Sequence, residues 1–273
     1  MESLLESQES WPPSLLFTES TTPMKLINTV SSHVKTLEDL IPLSRWAEPS
    51  IKIVREHMTA DPGHDESHLV RVARNALWFG ENGDPDVIIP AAILHDLVNV
   101  PKSSPDRSKA SQLSADKAIY ELSSVDLSLK IGAGIYHAIV AHSFSANIEP
   151  ETIEAKAVQD ADRIEALGHI GWVRLFAVSG AMGRPLFHPT DPLAEHRELD
   201  EYAWGLDHFA TKLRNLHTTM QTPIGQELAK SKTMKMAILI RNLVHEIQGT
   251  APPENGLDPL LDRALAFANM PVD

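Results

Sequence analysis

The chain has 273 residues, 42% of them apolar and 22% charged, an ordinary balance for a soluble globular protein that excludes a fibrous or wholly disordered chain. Lys and Arg number 24 against 37 Asp and Glu, and the net charge of −13 argues against a nucleic-acid polymer or an anionic membrane as partner, while leaving room for a small phosphorylated ligand held by a few local cations. Cysteine is absent, so disulfides, thiolate metal sites and a Cys nucleophile are excluded, and any metal must sit on His, Asp and Glu.

Residues 1–44 are rich in Ser, Thr, Glu and Pro with only short apolar pieces such as Leu15-Leu-Phe17, which predicts a poorly ordered or loosely docked extension. The first ten residues carry acids where a signal peptide would carry basic groups. The longest apolar run, Val87 to Leu94, is far short of the roughly 20 residues needed to cross a bilayer. A cytoplasmic location is therefore the expectation.

From about Ser44 to Ile247 apolar positions recur at three and four residues. Val70, Val72, Ala73, Ala76, Leu77 and Phe79 fit one helix face, Val158, Ile164, Leu167 and Ile170 another, and Met236, Ile238, Leu239, Leu243 and Ile247 a third. Turn chemistry at Asp61-Pro-Gly63, Gly83-Asp-Pro85, Pro101 to Pro105 and Gly183 to Pro192 separates the helical stretches. Ser123, with Asp126 three residues on, resembles a capping box at a helix start, whereas Thr152, followed at that spacing by Ala155, lacks one. Alternating apolar and polar residues are scarce and no internal repeat is found. The expected fold is all-α, a helical bundle with an additional C-terminal helical portion and residues 251–273 as a tail with a short helix.

Four polar stretches interrupt this background. In Gly63-His-Asp-Glu-Ser-His68, His64 and His68 are four apart and share a helix face. His95-Asp96 closes the apolar run Ala91-Ala-Ile-Leu94, where burying either group without a partner is costly. The third is His137-Ala-Ile-Val-Ala-His142, and the fourth is Val158-Gln-Asp160-Ala-Asp162-Arg. A divalent metal is the simplest way to satisfy such groups together, and mixed N/O donors suit Mn, Fe, Co, Ni, Zn or Mg. Asp160 and Asp162 lie roughly 200° apart around a helix, so both cannot easily face one ion.

The ordered set His68, His95-Asp96 and Asp162 resembles the HD superfamily of metal-dependent phosphohydrolases. His64-Asp-Glu-Ser-His68-Leu-Val-Arg71 looks like its opening helix. Leu94-His-Asp-Leu-Val-Asn-Val-Pro-Lys102, with Arg107, looks like the nucleotide pyrophosphohydrolase-like branch, echoed in His142-Ser-Phe-Ser145, in Gln159-Asp-Ala-Asp-Arg-Ile-Glu-Ala-Leu-Gly168 and in Leu206-Asp-His-Phe209 with Lys212-Leu213. The likeness covers about residues 46 to 250 and makes 45–250 the hydrolase domain. Acidic residues of the alarmone-hydrolase kind do not follow the doublet, and the Gly-Tyr-Pro motif of the cyclic-dinucleotide branch is absent.

The resemblance implies metal binding by His68, His95, Asp96 and Asp162, with Asp162 preferred over Asp160 and His64 outside the ligand set. It implies a catalytic part for Asp96, and Asp65 and Glu66 could orient water or a histidine ring. Lys102 and Arg107 would grip phosphates, Asn99 would bond a ligand or cap its helix, and His142 would touch substrate or, with His137, hold a second metal. The cofactor expected is one divalent ion (Mn, Mg, Co, Ni or Fe). The expected function is a phosphohydrolase in which metal-activated water attacks a small nucleotide, with pyrophosphate release from (d)NTPs as the leading reaction. Alternatives are a nucleotidase or phosphodiesterase on another small phosphate ester, a di-iron HD-type oxygenase, and a non-catalytic ligand-binding HD protein.

Overall fold

The computed structural model describes residues 33–57, 65–100, 106–253 and 258–270. Among these residues regular structure is helical only, with ten α-helices in chain order: α1 (Ala47–His57), α2 (Glu66–Phe79), α3 (Pro85–Leu94), α4 (Ala110–Leu122), α5 (Leu129–His142), α6 (Ile153–Arg163), α7 (Gly168–Ala181), the short α8 (Asp207–Thr211), α9 (Pro223–Gln248) and α10 (Pro259–Phe267). Short 3-10 turns flank them at Glu38–Leu43, Arg107–Lys109, Ile164–Ala166 and Leu213–Thr219. No helix among the described residues is long and apolar enough to cross a membrane.

The centre is α3. Asp84 caps its start by accepting from Asp86 N–H, Pro85 supplies a helical φ where no donor is needed, and every residue from Val87 to Leu94 is buried. Such a helix needs cover all round, and α2, α5, α6 and α1 pack against it. On one side α2 lies along α6; on the other α5 lies along α4 and α6. Beyond this bundle α9 packs against α7 and the Leu213–Thr219 turn, and α10 closes over α9.

Both ends of the chain contribute more than the composition implies. Val34, Leu37 and Leu40 are buried in the core, so the described part of the expected extension packs against the bundle; residues 1–32 lie outside the described residues. In the C-terminal segment, Leu260, Ala264, Leu265 and Phe267 of α10 are buried, and Phe267 stacks on Phe209 at 5.9 Å.

Two local expectations are corrected. Ser123 does not start a helix: it closes α4, its hydroxyl donating to the Tyr120 carbonyl, and the next helix starts at Ser128, whose hydroxyl accepts from Ile131 N–H. Thr152, without a capping box, does cap α6, accepting from Ala155 N–H. The apolar face from Val158 to Ile170 is not one helix. Leu167 is extended and Gly168 takes φ +71°, so α6 and its terminal 3-10 turn stop before α7 begins. Close approach then fixes Gly171, where a Cβ would collide with the Ala166 carbonyl oxygen.

Candidate metal centre

Helix ends deliver the donor groups. Asp65 caps α2 by accepting from the backbone N–H of His68, which puts His68 in the first turn, fully buried. His95-Asp96 follows directly on the end of α3, His142 is the last residue of α5, and Asp162 lies in the last turn of α6. Because these four helices pack together, their ends bring side chains distant in sequence to one place. Asp162 Oδ1 is 3.7 Å from Nε2 of His68 and 3.7 Å from Nε2 of His95. Asp96 reaches the same point from the other side, with Oδ2 3.6 Å from His95 Nε2 and Oδ1 3.5 Å from His142 Nε2. Two overlapping donor sets result, His68–His95–Asp162 and His95–Asp96–His142, with His95 common to both.

The imidazoles are oriented from behind. His95 Nδ1–H donates to the Ala92 carbonyl at 2.9 Å, and His142 Nδ1–H donates to the Ile139 carbonyl at 2.6 Å. A carbonyl only accepts, so Nδ1 of each ring carries a proton; the neutral His95 ring presents its Nε2 lone pair to the carboxylates, whereas Asp96 favours a proton on His142 Nε2. His95 Nε2 is buried with no hydrogen-bond partner. Behind His68, Nδ1 lies 3.5 Å from the buried Glu165 carboxylate, which also accepts from Arg71 Nε at 2.6 Å. Burial favours the neutral Glu165 acid, but His68 and Arg71 outweigh it and keep its pKa below the usual carboxylate range. The donors thus fit a divalent cation: two buried imidazole lone pairs, two carboxylates and an outer carboxylate behind one histidine.

Protonation states follow from the same packing. Burial pushes the His95 imidazole down to about 4, against the pull of Asp96. Burial also works against the charged form of His142, but Asp96 outweighs it and raises that pKa. For Asp162, burial favours the acid, and His95, His142 and His68 together hold it low.

His68, His95, Asp96 and Asp162 are brought together, and His142 joins them. Asp160, two residues from Asp162, points elsewhere: fully buried, it accepts from the backbone N–H groups of Gln221 and Thr222 and from the Thr222 hydroxyl, anchoring the start of α9. The roles expected of Asp65 and Glu66 in orienting water give way to other work. Asp65 is the cap of α2, and Glu66 pairs with both Nε and Nη2 of Arg55 at 2.7 and 2.8 Å. Helix-start acids are drawn to backbone donors and nearby cations, and here both are available. His137 accepts from Glu151 N–H at 2.9 Å, away from the centre. Asn99 is exposed beyond the end of α3 and caps no helix, since His95 holds that position. Arg107 reaches back from its 3-10 turn to the Val100 carbonyl. Lys102 and His64 lie outside the described residues, as do the turns at residues 61–63 and 101–105.

Packing adds a cationic group that spacing alone does not reveal. Phe144, two residues past His142 and 52% exposed, has Lys212 Nζ 5.0 Å from its ring centroid and the Arg163 guanidinium 5.4 Å from it. Partial burial lowers the Lys212 pKa; Glu201 and Asp162 oppose that shift, while Arg107 and Arg163 add to it. Lys212 thus has two cations, Arg107 and Arg163, as electrostatic neighbours near Asp162 in an otherwise acidic protein. Arg174 of α7 is a further neighbour, its Nη1 3.3 Å from His68 Nδ1.

A family model for the HD domain matches residues 66–167, the stretch from the start of α2 to the turn after α6 that carries all four expected ligands. The YpgQ protein of Bacillus subtilis is 34% identical over 193 residues, covering 68% of this chain and 86% of its own length. The crystal structure of B. subtilis YpgQ in complex with ADP superimposes with a TM-score of 0.57 at 30% identity, over 73% of this chain and 98% of that one. An HD-superfamily hydrolase of Bacillus thuringiensis gives a TM-score of 0.57 at 27% identity, over 78% and 97%. The helical architecture, the His and Asp residues at its converging ends and these likenesses agree, and the chain belongs to the HD-domain superfamily.

Proposed function

We propose that this chain is a divalent-metal-dependent phosphohydrolase that acts on a small nucleotide and releases pyrophosphate from nucleoside triphosphates. The observation that carries the reading is the buried Nε2 of His95, set between the carboxylates of Asp96 and Asp162 with no hydrogen-bond partner. A bare imidazole nitrogen in an apolar interior is costly, and a cation shared with the carboxylates removes that cost.

An ion of the Mn, Mg, Co, Ni or Fe type, held by His68, His95, Asp96 and Asp162, supplies when bound a water of lowered pKa and a Lewis acid for a phosphoryl oxygen. The other work falls to the chain. Ala92, Ile139 and Glu165 fix the histidine rings, and His142 positions Asp96 from 3.5 Å. Arg163 and Lys212 offer positive charge beside Asp162, with Arg107 near Lys212, which suits a polyphosphate whose transfer depends on positioning and charge rather than on covalent help. Arg grips phosphate oxygens bidentately, and Lys acts as a point charge. Asn99 and Lys102 complete the substrate side of this proposal. Membership of the HD superfamily supports hydrolysis, and the ADP bound to YpgQ supports a nucleotide as ligand.

The test is metal content of the purified chain together with a screen for phosphate and pyrophosphate release from nucleoside triphosphates under each metal. Pyrophosphate release that is abolished by chelator and by Asp96→Ala, with helical content kept, is the expected result. Single-phosphate release would move the reading to a nucleotidase. Metal without turnover of any nucleotide would overturn the nucleotide substrate, and two irons per chain would favour an oxygenase.

A further inference from the structure

Behind His68 lies a cavity of about 460 Å³, walled by α7 and the segment from Glu201 to Leu213. It adjoins the candidate metal centre through Arg174. Arg174 lines it and reaches His68 Nδ1 at 3.3 Å; Ala166 lines it next to Glu165, and Leu213 lines it next to Lys212. Its interior is mainly apolar, from Leu175, Val178 and Leu213, and Tyr202 is 82% exposed at its edge. That size and that mix of apolar wall with a few polar groups match a small-molecule site.

One polar group in the wall has a defined direction. His208 Nδ1 lies 2.7 Å from Glu201 Oε2, which also accepts from the Thr211 hydroxyl. A carboxylate accepts, so Nδ1 carries the proton and Nε2 is left as an acceptor. Burial lowers the His208 pKa against the pull of Glu201, which keeps the ring neutral near pH 7. Phe144, another aromatic group near the centre, already has Lys212 and Arg163 against its ring, whereas the cavity is open to a flat ligand group.

We propose that the cavity receives the nucleoside end of the substrate, with His208 Nε2 accepting a hydrogen bond from an amino group on the base, while the phosphates lie against Arg107, Arg163 and Lys212. The proposal rests on the nucleotide reading above and specifies where the base goes. It makes Val178, Met182 and His208 determinants of substrate choice, apart from the residues that hold the metal.

The experiment is calorimetric binding of ADP, UDP and inorganic triphosphate to the full chain and to Val178→Phe, Met182→Trp and His208→Ala, each checked for its melting transition. Filling the cavity with Val178→Phe is expected to weaken ADP at least tenfold and to leave inorganic triphosphate within twofold. Met182→Trp, at a side chain 57% exposed, gives a second obstruction that does not disturb the core. His208→Ala is expected to weaken ADP more than UDP. Unchanged ADP affinity in both obstructed variants, or equal weakening of ADP and inorganic triphosphate, overturns the placement of the nucleoside; equal weakening of ADP and UDP in His208→Ala overturns the acceptor role. Because binding is read without turnover, a chain that binds ADP in the cavity but cleaves no triphosphate would sink the proposed reaction and keep this site.

Discussion

Glu165 Oε2 stands 3.5 Å from His68 Nδ1, on the side of the ring away from the cluster of donor atoms. A carboxylate in that position favours a proton on Nδ1 and would leave Nε2 as a better metal ligand, against the Arg174 guanidinium 3.3 Å from the same nitrogen, which can only donate. Glu165→Gln is expected to lower metal affinity about 10- to 100-fold, the range found for lost outer-shell partners, with far-ultraviolet circular dichroism unchanged. Competition of the variant with a chelator of known affinity measures it. Wild-type metal retention would show that Glu165 serves Arg71 alone.

Asp160 and Asp162 divide labour that their spacing suggests but does not assign. Asp160 accepts three donors at the start of α9, and a Cβ at Gly225 would stand 2.6 Å from its Oδ2, so the helix terminus is seated directly on that carboxylate. Asp160→Asn turns an amide NH2 toward donors and is expected to cost about 1–3 kcal/mol of stability while metal content stays at the wild-type level. Asp162→Asn should show the reverse, with metal lost and the metal-free protein nearly as stable as the parent. Urea unfolding and elemental analysis of both variants read the two effects separately.

How much of this the sequence carries depends on range. His68, His95, Asp96 and Asp162 are legible chiefly through their resemblance to the HD pattern, to which the polar His95-Asp96 pair closing an apolar run adds a physical reason, since such groups need a partner. The helices themselves follow from periodicity, and the break at Gly168 escapes it because the apolar spacing runs on across the break. The outer groups are illegible for another reason. Arg71 meets Glu165 across 94 residues because α2 lies along α6, whose terminal turn carries Glu165, and Arg174 of α7 meets His68 across 106, contacts that only the fold creates. Asp65 and Glu66 show the opposite failure: three and two residues before His68 in sequence, they are directed by helix geometry to the cap and to Arg55. Lys212 belongs to a short segment with little regular helix of its own, and its place beside Phe144 and Asp162 is set by tertiary packing.

Metal-free protein is expected to lose stability on acidification, with His95 as a cause. Burial depresses the His95 pKa from 6.5 to about 4 in the folded chain. As pH falls, the unfolded chain takes up this proton first, so stability present above 6.5 is lost progressively down to about 4. A shift of this size corresponds to at most about 3 kcal/mol. His142 works the other way, since its raised pKa adds stability at low pH that is lost as pH rises. Urea titrations of chelator-treated protein at pH about 7 and about 5 give the slope. His95→Asn should flatten it, and an unchanged slope in that variant would assign the pH dependence to other groups.

On the proposed function, replacing Lys212 is expected to separate phosphate binding from metal binding. Its ammonium lies 5.0 Å from the Phe144 ring centroid and interacts electrostatically with Asp162, Arg107 and Arg163, so removing it lowers positive charge beside the centre without touching a metal donor. In Lys212→Ala the metal content should stay at the wild-type level, and KM for a nucleoside triphosphate should rise about tenfold, the equivalent of about 1.4 kcal/mol in a lost charge-assisted contact. Lys212→Arg, which keeps the charge, should recover part of the loss, as a purely structural role would not require. Arg107→Ala should behave like Lys212→Ala, and because both cations share one polyphosphate, the double variant should lose less than the product of the two single effects. Steady-state kinetics on the four proteins test this, and additive losses would mean that the two cations act on separate ligands.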